Sequence, residues 1–136
     1  MDKKKFISKY IENFCKVIKS GELQTDQLLD AVNLIKRITS NNSIHIFGNG
    51  GSASIASHFS MDLTNNSKIK CLSYNDPAII TCYANDFEFE NWISRAIEKY
   101  GKKNDILILI SSSGKSKNMV NGLKLKRLKK FKKIIT

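Results

Sequence analysis

The chain has 136 residues, 41% of them apolar and 26% charged. That suffices for one ordinary domain with a buried core, leaves little room for a second, and excludes a chain disordered by composition. Lys and Arg number 23 against 12 Asp and Glu, a net charge of +11, but nine of the basic residues and none of the acidic ones lie between Lys115 and Thr136. The body of the chain is therefore nearly neutral, and the basicity does not mark a nucleic-acid-binding surface.

Cys15, Cys71 and Cys82 are an odd, widely spaced set with no CxxC pair, which argues against a disulfide framework or a zinc ribbon. No apolar run approaches the roughly 18 residues of a membrane span, and no h-region follows the N-terminal lysines. The expected setting is cytoplasmic and reducing, without a membrane partner.

In chain order, residues 2–19 predict an amphipathic helix, with Phe6, Ile7, Tyr10, Ile11, Phe14, Val17 and Ile18 recurring at three and four. Gly21 is its expected stop. Residues 24–39 predict a second helix on Leu28, Leu29, Val32, Ile35 and Ile38, with Thr25 or Ser20 as candidate cap. The period then changes. Residues 43–47 read as a short strand entering Gly48-Asn49-Gly50-Gly51-Ser52, which opens a helix to about Leu63. A weaker strand is expected over Lys70–Tyr74. Asp76 and Pro77 read as N-cap and first helical residue of a helix towards Tyr83. Residues 89–100 predict another helix, stopped by Gly101.

Asp105 to Ile110 read as the clearest strand in the chain, and its five consecutive aliphatics from Ile106 are the pattern of a central parallel strand buried on both faces. They enter Ser111-Ser112-Ser113-Gly114-Lys115-Ser116, and a further helix follows, on which Val120, Leu123, Leu128 and Phe131 are expected to face the sheet while the lysines point to water. Residues 132–136 read as the start of another parallel strand. Strands alternating with helices predict an α/β fold, a parallel sheet flanked by helices and preceded by two N-terminal helices.

Both Gly- or Ser-rich loops join a strand end to a helix start. There the first-turn N–H groups lack intrahelical partners and the helix dipole is positive, so a phosphate is the natural occupant. Gly114-Lys115-Ser116 resembles the end of a Walker A motif, but the glycine required at position 109 is Leu109. Gly48-x-Gly50-x-x-Ala53 satisfies the dinucleotide fingerprint formally, but the acid expected about twenty residues on is missing, and Lys68 and Lys70 lie there instead. Asn85-Asp86 alone reads as a turn, and His45 as a structural residue within its strand.

Four separated blocks do carry a resemblance: Phe47-Gly-Asn-Gly-Gly-Ser52, His58-Phe-Ser-Met-Asp62-Leu, Tyr83-Ala-Asn85-Asp86-Phe and Ile110-Ser-Ser-Ser-Gly-Lys-Ser116. In order and spacing they resemble the sugar-isomerase (SIS) domain of phosphoheptose isomerases, over roughly residues 5–136. The resemblance implies a flavodoxin-like three-layer fold. It implies one SIS domain, with residues 1–40 a helical segment for oligomerisation and residues 41–136 the α/β core. The implied activity interconverts sedoheptulose 7-phosphate and a heptose 7-phosphate that feeds lipopolysaccharide or capsule heptose, in a homotetramer with shared active sites.

By motif, Ser52, Ser111, Ser112, Ser113 and Ser116 would hold the substrate phosphate, and Asn49, Gly50, Gly51, Asn85 and Asp86 would line the sugar site. His58 and Asp62 would be zinc ligands, with Asp62 also the proton-transfer base. The i,i+4 spacing of that pair puts both on one helix face, which by itself equally describes an exposed ion pair.

Two departures from the family pattern stand out. Asp62 replaces the family's usual glutamate, which withdraws the carboxylate by about 1.5 Å, a displacement worth about a hundredfold in rate where positioning matters. The family also continues past this point into further strands, a last helix, and a glutamine and a histidine that complete the catalytic set. The expectation is a sheet and a ligand set left incomplete at Thr136, and no isomerase activity from residues 1–136 alone. The rival expectation is a non-catalytic phosphosugar sensor or an SIS adaptor protein.

Overall fold

The computed structural model describes residues 2–19, 25–129 and 131–136. The chain separates into two compact units, Met1–Arg37 and Ile38–Thr136. The first contains α1 (Lys3–Lys19) and α2 (Thr25–Lys36). Both are amphipathic as the periodicity predicts, and the apolar stripe of α1 from Phe6 to Ile18 is exposed. Thr25 is the first residue of α2 rather than a residue flanking it. The expected stop at Gly21 and cap at Ser20 lie outside the described residues.

The second unit is an α/β sandwich. Its strands are β1 (Ile44–Gly48), β2 (Cys71–Ser73), β3 (Ile106–Ile110) and β4 (Lys133–Ile135), all parallel, in the order β2-β1-β3-β4. Its helices are α3 (Gly51–Ser67), α4 (Pro77–Phe87), α5 (Trp92–Tyr100), preceded by a 3-10 turn at Phe89–Asn91, and α6 (Lys117–Lys129). The central pair, β1 and β3, is buried along nearly all its length, as the unbroken aliphatic run of β3 requires. Strand alternation sends Phe47, Leu107 and Leu109 into one cluster with Tyr74, Trp92, Ile93, Ile97 and Met119. The intervening Ile44, Ile46, Ile106 and Ile108 serve the opposite face, and α3, with Ala56, Ser60 and Leu63 buried, packs on β1, β2 and β3.

The ends of α3 and α4 and the inward face of α6 differ from the periodicity. α3 continues four residues past Leu63, its last apolar residue, because Lys68 turns left-handed and its N–H caps the Leu63 carbonyl. α4 starts as expected, with Asp76 accepting from the Ala78 N–H at 2.7 Å and Pro77 in its first turn. It then runs to Phe87, because Ile79, Ile80 and Tyr83 pack on the core at helical spacing. Asn85 and Asp86 are thus helical and not a turn. On α6 the expected inward face is corrected. Leu123 is 42% exposed, while Asn118, Met119 and Gly122 point inward. A Cβ at Gly122 would come within 2.7 Å of Ile93 Cγ2, so glycine there lets α6 and α5 approach closely and rotates the helix about that contact. Phe131 is buried but follows α6.

A polar cluster lies inside this apolar unit, at the amino-terminal ends of the strands. The Asp105 carboxylate, 1% exposed, receives two donors on each oxygen. Oδ1 accepts from Ser43 N at 3.0 Å and Asn42 Nδ2 at 3.1 Å. Oδ2 accepts from Lys102 N at 2.7 Å and His45 Nε2 at 2.8 Å. Since a carboxylate only accepts, Nε2 carries the imidazole proton, and Nδ1 accepts from Tyr74 Oη at 2.7 Å. The ring of Tyr74 stacks on Phe47, and the Asp105 carbonyl accepts from Lys132 N just before β4. One ion thus joins β1, β3, the residue after β2 and the approach to β4.

Burial holds His45 below its ordinary 6.5 despite the attraction of Asp105. For Asp105, burial alone would raise the pKa, but the donors from Ser43, His45, Lys102 and Asn42 outweigh it and hold the carboxyl below its ordinary 3.8.

At the other end of β1, the chain doubles back into α3 at Gly48. A Cβ there would meet the Ser52 carbonyl and would lie 2.6 Å from Ala53 N, both of them backbone.

Three outcomes follow from this packing. Asp105→Ala strands four inward-pointing donors and should destabilise the fold by about 3–5 kcal/mol in urea titrations; a loss below 1 kcal/mol would remove Asp105 from this role. The unfolded chain binds more protons than the native chain at His45 as pH falls below 6.5, and at Asp105 below 3.8. Stability should therefore decline from pH 7 to pH 5 and again in strong acid, with the first decline reduced in His45→Gln; constant or rising stability between pH 7 and pH 5 contradicts the assignment. Gly48→Ala should cost about 1–3 kcal/mol through backbone overpacking, read as a lowered urea midpoint.

Candidate phosphate and sugar site

Parallel pairing sets Gly48 opposite Ile110, so the loops that follow β1 and β3 leave the carboxyl edge of the sheet side by side. This is the position at which open α/β sheets bind ligands. The structure thereby brings Asn49, Gly50, Gly51 and Ser52 together with Ser111, Ser112, Ser113 and Ser116.

Gly50 (φ 55°) and Gly114 (φ 61°) take the left-handed backbone that their loops need. α3 starts after Gly50 with no side chain closing its first turn. Neither α3 nor α6 has an acid in its first turn, so both positive helix ends stay unneutralised by their own side chains. In the serine loop the Gly114 N–H donates to Ser111 Oγ at 3.1 Å and the Lys115 N–H to Ser113 Oγ at 3.2 Å. Both hydroxyls are used as acceptors, which leaves their own O–H groups to donate outward. Ser112 is exposed, Ser116 half-buried, and the Ser116 carbonyl accepts the Val120 N–H in the first turn of α6. Beside this loop a cavity of about 270 Å³ is lined by Leu109, Ser111, Gly114, Met119 and Thr136, among others.

The glycine loop is bonded to the first turn of α6. Asn49 Nδ2 donates to Asn118 Oδ1 at 3.0 Å and Asn118 Nδ2 donates back to Asn49 Oδ1 at 3.1 Å. Asn75, just after β2, donates to the Ala53 carbonyl at 2.8 Å and to Ser57 Oγ at 3.0 Å, holding the first turn of α3. Sequence reasoning missed Asn118 and Asn75. Neither sits in a recognisable motif, and their partners are 69 and 22 or 18 residues away.

Lys117 belongs to a different contact. Its ammonium pairs with Glu90 at 2.6 Å, which raises its pKa, and Asn121 Nδ2 donates to the Glu90 carbonyl and to Asn91 Oδ1. The start of α6 is therefore fastened to the 3-10 turn before α5.

Asn85 and Asp86 occupy the exposed last turn of α4, where Asn85 Nδ2 donates to Asp86 Oδ1 at 2.9 Å. His58 and Asp62 share the outer face of α3, with Nε2 and Oδ2 3.7 Å apart and side chains 81% and 55% exposed. At that distance the contact is too long for a hydrogen bond. Ile55 and Phe59 flank them, exposed on the same stripe. His45 takes the structural role expected of it, bonded to Asp105 and Tyr74. The three cysteines are free, and burial pushes the Cys71 thiol up to about 12, which makes it unreactive.

Comparison with known proteins agrees with this layout. A family model described as "SIS domain" matches residues 9–131. The phosphoheptose isomerase of Buchnera aphidicola subsp. Schizaphis graminum is 36% identical over 141 residues, covering 97% of this chain and 73% of that protein. The phosphoheptose isomerase of Helicobacter pylori (strain ATCC 700392 / 26695) is 43% identical over 93 residues, covering 64% of this chain and 48% of that protein. The chain thus aligns to about half the length of the Helicobacter relatives.

Two solved phosphoheptose isomerase structures share the fold. The one from Francisella tularensis has a TM-score of 0.87 at 24% identity, covering 99% of this chain and 75% of that one. The one from Neisseria gonorrhoeae has a TM-score of 0.85 at 23% identity, covering 99% and 74%. A parallel sheet with glycine and serine loops on its carboxyl edge, matched along nearly the whole chain, places the protein: it belongs to the SIS domain family.

Proposed function

We propose that this chain is the phosphosugar-binding domain of a phosphoheptose isomerase, acting in the cytoplasm as part of a homotetramer on sedoheptulose 7-phosphate for lipopolysaccharide or capsule heptose. The observation that carries the reading is the pair of loops on adjacent parallel strands, with two uncancelled helix N-termini and a row of serine hydroxyls. Ser52, Ser111, Ser112, Ser113 and Ser116 hold the phosphate dianion through O–H donors and neighbouring backbone N–H groups. Asn49, Gly50 and Gly51 present polar backbone and amide groups to the sugar, and Asn85 and Asp86 take its far hydroxyls.

Aldose–ketose isomerisation moves a proton between C1 and C2 through an enediolate, and Asp62 is the base in this reading. Zinc belongs to the same family expectation, but His58 and Asp62 supply two donors where zinc sites use at least three protein ligands. Among the described residues no group of three or more His, Cys, Asp or Glu is placed to hold a metal. These residues alone do not fit the ion. Binding and chemistry therefore separate: both loops lie in the second unit, and so do His58 and Asp62, but that pair supplies only part of a zinc donor set.

Isothermal titration of the 136-residue chain tests this. Sedoheptulose 7-phosphate should bind and unphosphorylated sedoheptulose should not, and Ser111→Ala with Ser113→Ala should weaken binding by about tenfold per lost charge-assisted hydrogen bond. Equal binding of the two sugars would overturn phosphate anchoring. The same chain should bind without converting the sugar, and turnover by it would refute the incomplete-donor reading.

A further inference from the structure

We propose that Asn118 is a positioning residue that locks the orientation of Asn49 and so makes recognition of the sugar by the glycine loop depend on the serine loop and α6. The inference rests on the phosphosugar reading for its ligand but on geometry for its mechanism.

Asn118 is 2% exposed, and a buried amide is costly unless its donors and acceptors are matched. Here they are. Asn118 Oδ1 accepts from Asn49 Nδ2 and from the Met119 N–H at 2.9 Å, while Asn118 Nδ2 donates to Asn49 Oδ1. This arrangement admits one orientation, because turning either amide over alone sets nitrogen against nitrogen and oxygen against oxygen, and turning both over breaks the Met119 N–H bond to Asn118 Oδ1. Asn49 is left with one N–H and one lone pair, both of fixed direction, to offer a ligand.

The anchor of the pair is Asn118. It lies in the turn of α6 that Lys117 fastens to Glu90, with Asn121 bonded to Glu90 and Asn91 one turn on. Asn49, half-buried in a glycine-rich loop, is the partner that would turn if released. A ligand that engages the serine loop therefore meets an Asn49 already aimed. Shifting the start of α6 would re-aim it.

Ligand-free amide exchange decides the coupling by itself. Asn118→Ala should accelerate exchange in Gly50–Ala53 by about tenfold and leave α5 unchanged; unchanged exchange in that loop overturns the proposal. Asn118→Ser retains a hydroxyl that can reach the adjacent Met119 N–H but is too short to reach Asn49. It should behave like Asn118→Ala, and wild-type exchange in the folded serine variant likewise overturns the proposal.

The ligand arm compares sedoheptulose 7-phosphate with inorganic phosphate. The ratio of their affinities should fall about tenfold in Asn118→Ala and in Asn49→Ala, with no further fall in the double variant. Additive falls would mean that Asn118 acts independently of Asn49, against the proposal. If the wild-type protein binds neither probe, the phosphosugar reading and the specificity claim fail together, and the exchange experiment still decides the loop coupling.

Discussion

The buried carboxylate of Asp105 is the constraint on which the arrangement of the second unit turns. A single negative charge out of water is tolerable only when its lone pairs are filled, and here four N–H donors fill them, two on each oxygen. Those donors come from the residues before β1, from β1 itself and from the turn before β3, while the Asp105 carbonyl reaches the approach to β4. Satisfying one ion therefore fixes where the strands begin relative to each other. In a parallel sheet, fixing where strands begin also fixes where they end, because β1 and β3 are each five residues long and paired residue for residue. The level meeting of the glycine and serine loops at the carboxyl edge follows from polar bonding at the amino edge.

Three asparagines extend that order outward. Asn49 and Asn118 bond the loop after β1 to the first turn of α6, and Asn75 holds the first turn of α3 from the β2 side. The helix starts divide accordingly. α4 is closed by Asp76 and Pro77, the arrangement of a helix whose start needs only to be stable. α3 starts on glycine with no side-chain cap, so its first-turn donors are left for something other than the chain's own side chains. The contrast separates a structural helix start from one suited to an anion.

Much of this was legible in the sequence, and the reasons differ by element. The aliphatic run of β3 and the strand-to-loop-to-helix junctions are local patterns, so the parallel sheet and the position of both glycine- and serine-rich loops could be read directly. Helix ends past the last apolar residue could not be, since a left-handed cap at Lys68 and core contacts from Ile79, Ile80 and Tyr83 decide them. The inward face of α6 was misjudged because a glycine, which carries no hydrophobic signal, makes its closest contact with α5. Asp105 read only as the first residue of its strand and Asn118 carried no signal, because the meaning of each depends on partners 60 to 69 residues away. Local periodicity has no access to that information.

The resemblance to phosphoheptose isomerases joins recognition and chemistry in one site, but this chain puts them on elements of different character. Recognition sits on loops fixed at both ends of a buried strand pair, where hydroxyls and backbone donors are aimed before a ligand arrives. Proton transfer would sit on the outer stripe of α3, opposite its buried Ala56, Ser60 and Leu63, where His58 and Asp62 stand in water between Ile55 and Phe59. Oriented donors keep their value at an open sheet edge, because a dianion has to surrender water only to groups already in place. A base working through an enediolate needs water excluded, and a half-exposed carboxylate beside an exposed imidazole does not provide that. Exposed aliphatic and aromatic neighbours on the same stripe are what a covering surface would pack against. On the proposed reading, the phosphate half of the site needs only the loops of this fold, and the proton-transfer half needs α3 covered.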